Sequence, residues 1–200
     1  MSQEDDDGWM ALVEDTLGAG GRLMRGSAEF DRAFDHVWGL LRDSAGLFER
    51  RSYATSLFLA ITALEEVAKL SVGMSRHSNE PSRRSQDPLF SHRKKHHLAA
   101  RPTVLVGSRL TEAIGEDAIA EIMDAARSGA LVALRESSLY VAGAAGGLLL
   151  PSEVITPKKA RQVLLFSLEA FDDALVGYTN RSMEAGVVAD QIFERVRSAA

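Results

Sequence analysis

Between Ser52 and Arg76 the segment SYATSLFLAITALEEVAKLSVGMSR is apolar around almost its whole helical circumference, yet it carries Glu65, Glu66 and Lys69 in its middle. A helix of that kind belongs at the buried centre of a domain. At about 100° per residue, Thr55, Thr62, Glu65, Glu66, Lys69 and Arg76 fall within a stripe roughly 100° wide, while Tyr53, Leu57, Ile61, Leu64 and Ala68 fill much of the rest. The charges all aim in one direction. The segment expected to face them is DPLFSHRKKHH, residues 87–97, with His92, His96 and His97 set among Arg93, Lys94 and Lys95.

Charge is unevenly spread along the chain. The formal net charge is −5, but Arg76 to Arg101 holds seven Lys/Arg against two Asp/Glu, which leaves sixteen against twenty-six elsewhere. A basic patch on an otherwise acidic protein is expected from this. With 200 residues and 46% hydrophobic composition, one well-buried core is within reach. We expect a polar leader over residues 1–8 and a single helical domain over 9–198. The chain has no cysteine, which excludes disulfides, thiolate metal sites and a cysteine nucleophile. The acidic start MSQEDDDGW is unlike a secretory signal, and no apolar run reaches the length of a membrane span. The reading is a soluble, cytoplasmic protein without a membrane segment.

Spacing predicts an all-α chain of about six to eight helices. Trp9, Leu12, Val13 and Leu17 mark the first, stopped by Gly18, Gly20 and Gly21. Ser27 is the expected cap of the second, whose apolar face runs from Phe30 through Phe34 and Trp38 to Phe48. Ser52 caps the third, and the tight RRS connection makes helices two and three an antiparallel pair. A short helix follows at HRKKHHLAA, then one over 110–128 and one over 130–140. GAAGG suggests a small hairpin near residues 140–150. Thr156 followed by Pro157 is a strong helix start, with a core face extending to Tyr178, and a last helix runs over 183–196.

The chemistry-bearing residues have two readings each. Glu65, Glu66 and Lys69, at spacings of three and four, can hold a carboxyl group at a shifted pKa for proton transfer, or can form an ion pair that neutralises charge inside a bundle. His92 and His96 stand one turn apart, but Arg93 and Lys95 beside them oppose a bound cation, so neither a metal nor another cofactor is expected. The same set suits an anion: Arg93 and Lys94 hold phosphate while an imidazole moves a proton. Arg135 and Tyr140, in LRESSLY, either complete that anion pocket or leave the tyrosine as a core residue with a wet hydroxyl. GAAGG does not sit between a strand and a helix as a phosphate loop does, and no aromatic platform for stacking bases is visible.

Taken in order, ATSLFLAITALEEVAK, DPLFSHRKKHH, LRESSLYV and the ITP helix start resemble the AbiV family of bacterial abortive-infection proteins, over residues from about 30 to 180. The resemblance implies a helical bundle of the HEPN kind, which commonly dimerises and often cuts RNA in a groove between helices. It also implies a role in phage defence in which an infected cell halts protein synthesis. Its site would comprise Glu65, Glu66, Lys69, His92 and Lys95, to which the position of His96 one turn after His92 adds a sixth member. Arg93 and His97 have three residues between them, where HEPN ribonucleases usually have four to six. Two activities stay open: metal-independent RNA cleavage, and a non-catalytic module or dimer that blocks translation by binding a phage protein or the translation machinery.

Overall fold

A computed structural model describes residues 3–77, 85–100, 108–144 and 147–199. In chain order the helices are α1 (Gln3–Gly18), α2 (Ser27–Glu49), α3 (Tyr53–Met74), α4 (His92–Ala99), α5 (Ser108–Ile114), α6 (Glu116–Ser128) and α7 (Ala130–Ser137). A hairpin of β1 (Ala142–Ala144) and β2 (Gly147–Leu149) follows, then α8 (Pro151–Val154), α9 (Pro157–Leu175) and α10 (Asn180–Ser198). A single 3-10 turn, Pro88–Phe90, precedes α4.

The all-α expectation holds, with ten helices among the described residues rather than six to eight. The two additions are α8 and a break in the 110–128 segment. Gly115 (φ 83°) turns the chain there, so apolar spacing that continues across the glycine belongs to two helices. Other boundaries also shift. α1 starts at Gln3, inside the stretch read as a leader. The cap of α2 is Gly26, not Ser27; Glu29 Oε2 instead accepts a hydrogen bond from the Arg25 N–H at 2.7 Å. α9 stops at Leu175, leaving Tyr178 exposed outside its core face. Thr156 does cap α9, accepting from the Lys159 N–H at 3.2 Å with Pro157 in the first turn.

α3 is the spine. α2 and α9 pack along its apolar faces, and α4, α7 and α8 close around the remainder. Leu57, Ile61 and Leu64 are fully buried against Phe34 and Leu41 of α2 and against Phe166 and Phe171 of α9 within one continuous core. Each side chain of this size contributes about 1.5–3 kcal/mol when fully buried. Trp38 stacks on Phe171 at 5.6 Å, and Phe34 meets the same ring at 5.0 Å. Between α2 and α3, the buried Ser44 hydroxyl donates to the Ser56 carbonyl at 2.8 Å. No described helix is long and apolar enough to cross a membrane.

Candidate functional site

The charged stripe of α3 is covered by α4, and the local sequence explains how α4 is held there. Asp87 accepts a hydrogen bond from the Leu89 N–H at 2.9 Å and so caps the 3-10 turn. Ser91 caps α4 by accepting from the Lys94 N–H at 3.4 Å. Asp87 is itself gripped in two places by the buried Arg76, at 2.8 and 2.5 Å, and the Arg76 Nε–H donates to the Thr16 carbonyl at 2.9 Å. This buried clasp ties the ends of α1 and α3 to the approach to α4. Sequence reasoning put Arg76 on the Glu65 stripe and missed its pairing with Asp87. The only signal was an isolated acid in a basic, proline-rich segment.

Within α4, His92, Lys95 and His96 share one face, and all three reach Glu65. The Glu65 side chain is 2% exposed and each of its oxygens meets two partners. Oε2 takes the His92 ring at 2.6 Å from Nδ1 and the Lys95 ammonium at 2.8 Å. Oε1 accepts from Arg135 Nη1 at 3.1 Å and lies 2.9 Å from His96 Nε2. The His96 contact is off the line of a ring N–H, so it is a polar contact rather than an aligned hydrogen bond. Burial pushes the Glu65 carboxyl up, but His96, Lys95 and His92 together outweigh it and bring it down from its ordinary 4.5 to about 2. The group is therefore an anion at every physiological pH.

An ionised carboxylate only accepts hydrogen bonds, so His92 must carry its proton on Nδ1. Its Nε2 is then the basic nitrogen of a ring that is 48% exposed. On the same stripe of α3, Lys69 donates to Glu66 at 2.9 Å and remains a third exposed, while Lys95 lies 3.9 Å from the other Glu66 oxygen. With Lys69, Lys95 and Arg135 set against Glu65 and Glu66, the cluster carries one more cation than anion. It favours a negatively charged ligand.

The other expected members sit differently. His96 is fully enclosed, and its Nδ1 has no hydrogen-bond partner among the described residues. It supports Glu65 from inside and cannot touch a ligand. Arg135, read with Tyr140 as an anion holder, turns its guanidinium onto Glu65 and over the Phe58 ring at 5.8 Å. Tyr140 is 64% exposed beyond the end of α7 and does not join the cluster. Arg93 donates to the Arg127 carbonyl at 3.2 Å, and Lys94 pairs with Asp15 at 3.6 Å. Of the segment's cations, Arg76 and Lys95 are buried in ion pairs, Arg93 and Lys94 make contacts at the surface, and Arg83, Arg84 and Arg101 lie outside the described residues.

No curated protein and no solved structure matches the chain. The sequence model of the AbiV family of HEPN proteins matches residues 29–168, more than half of the chain and the part that contains α3, α4, α7 and every residue of the Glu65 cluster. On that match the chain belongs to the HEPN AbiV family.

Proposed function

We propose that this chain is an abortive-infection protein that acts in the cytoplasm as a homodimer and halts translation by cutting RNA at the His92 edge of the Glu65 cluster. Family membership supports the defence role. The cleavage reading rests on one observation, a half-exposed histidine whose inner nitrogen is fixed at 2.6 Å by a buried, permanently ionised carboxylate. In that arrangement Nε2 takes the proton of a ribose 2′-hydroxyl, and the freed oxygen attacks the adjacent phosphorus. The bond to the 5′-oxygen breaks, leaving a cyclic phosphate, and the departing oxygen is protonated by the imidazolium or by Lys69. Lys69 offsets the negative charge that builds on phosphorus, while Lys95 and Arg135 keep Glu65 in place.

The test uses purified protein, labelled transfer or messenger RNA and a chelator. Wild type nicks the RNA without metal, and His92→Ala lowers the rate by about 10²–10⁴-fold, the usual worth of a positioned acid or base. Equal cleavage by the two removes His92 from the chemistry.

A second reading, occupancy without turnover, is favoured by the exposed apolar hairpin between α7 and α8. Leu148, Val141 and Tyr140 stand in solvent there, a surface suited to a phage protein or a component of the translation machinery. The readings separate by stoichiometry: a blocker needs about one copy per target, whereas a nuclease turns over many.

A further inference from the structure

A different cleft, of about 520 Å³, opens where the α2–α3 turn, the start of α9 and the end of α10 meet. Its volume falls within the range of small-molecule sites. Tyr53, in its wall, is twelve residues before Glu65 on α3, about 18 Å along the helix axis. The cleft is therefore separate from the Glu65 cluster.

The lining includes Arg51, Lys158, Arg161 and Arg197 against one carboxylate, Glu49, on a chain whose net charge is −5. Glu49 is already bound to Arg195 at 3.1 Å. Arg161 is held rigidly because it donates to the carbonyls of Val196 and Arg197 at 3.1 and 2.5 Å, which uses two of its five N–H groups. Arg197 leans towards Glu112 and Glu194 at 3.3 and 3.5 Å. Arg51 and Lys158 have no ion-pair or side-chain hydrogen-bond partner among the described residues. Thr156 caps the Lys159 N–H, so the N–H of Lys158 also points out of the first turn of α9 without an acceptor. Tyr53 adds an aromatic surface, braced edge-on by Phe48 at 5.3 Å. The sequence showed no such platform because the cations around Tyr53 come from three distant segments.

Arg51 carries the argument further. It is the one described residue other than glycine with a left-handed backbone, φ 62°, at the position after a helix where glycine normally stands. That conformation is strained for an L-residue. Its side chain makes no ion pair or hydrogen bond among the described residues that would offset the strain.

We propose that this cleft binds a nucleotide, with the phosphate held by Arg51, Lys158 and Arg161 at the start of α9 and the base laid against Tyr53. The ligand is either a free nucleotide or one residue of an RNA strand, and the site does not depend on cleavage at His92.

The experiment uses the full chain and a short fluorescent 2′-O-methyl RNA, which cannot be cleaved through its 2′-oxygen, so the result is independent of the RNA-cutting proposal. Anisotropy is read at low salt, with AMP and inorganic phosphate as separate competitors. Wild type binds, and Arg51→Gly/Lys158→Gln weakens binding at least tenfold while lowering the salt slope by about 0.7, the contribution of one phosphate contact on a single strand. Arg51→Gly relieves the backbone, so a loss of binding with an unchanged or raised melting temperature is not a loss of fold. Competition by AMP assigns a free nucleotide or strand end, and RNA binding without it assigns an internal nucleotide. Absence of binding to RNA and AMP alike, equal binding by the double variant, or equal competition by phosphate and AMP overturns the nucleotide site.

Discussion

Glu65 anchors four side chains through one carboxylate. Its carboxyl falls from 4.5 to about 2 on folding, so at neutral pH the folded and unfolded chains both hold it ionised and its full contribution, about 3 kcal/mol, is present. As pH drops below about 4.5 the unfolded chain takes up the proton first, and the contribution is lost progressively down to pH 2. Glu65→Gln leaves the buried Lys95 and the half-buried Arg135 without their counter-charge and is expected to cost about 3 kcal/mol in urea titration at pH 7, with the deficit shrinking in acid. Asp173 behaves in the opposite sense. Partial desolvation of this surface side chain, followed by the charges of Glu169 and Asp172, raises its carboxyl from 3.8 to about 6, so the folded state binds this proton more tightly and loses stability as pH rises through that window. Asp173→Asn should therefore melt higher than wild type at pH 7 and equally below pH 4. The meeting of Glu65 with His92 and Lys95 was legible because a one-sided charged stripe and a histidine cluster need each other. The role of Arg135 was not, since helical spacing tied it to Tyr140, and only the tertiary fold brings it across seventy residues to Glu65.

Among the elements, α4 depends most on its neighbours. It is eight residues long with low mean hydropathy, too short to persist alone, and it is placed by the Arg76–Asp87 clasp at one end and Glu65 in the middle. Arg76→Met strands a buried carboxylate and is expected to lower stability by about 3–5 kcal/mol. Arg76→Met/Asp87→Leu removes both charges and should recover much of the loss in the same urea titration, while leaving α4 less firmly placed and RNA cleavage slower. The long helices were readable from periodicity because their apolar faces meet one core. The division at Gly115 was not, because apolar spacing in α5 and α6 happens to continue in step across it. Gly129 (φ 90°) makes the next corner, between α6 and α7, and thereby sets the direction in which Arg135 is presented.

Among the described residues, exposed apolar side chains gather in two places, the hairpin and the outer face of α10 at Met183, Val187 and Val188, and only the hairpin stands in a stretch without charge. Ser137 to Ser152 contains no charged residue, and Leu148 there is 71% exposed. A two-stranded hairpin is marginal on its own in water, and each strand has an unpaired edge. Antiparallel pairing of two identical edges generates a twofold axis, and a charge-free surface does not repel its own copy across that axis. The proposed homodimer should accordingly sediment as a monomer once Leu148→Glu is introduced, with little change in melting temperature because the side chain contributes nothing to the core. Retention of the dimer would move the interface elsewhere.

Gathering four side chains around one carboxylate also limits how the family's sequences can drift. If Glu65 were replaced in a relative, Lys95, Arg135 and both histidines would lose their common anchor in a single step. Substitutions at these five positions are therefore expected to appear as a block, and intermediates that change one corner at a time should be rare.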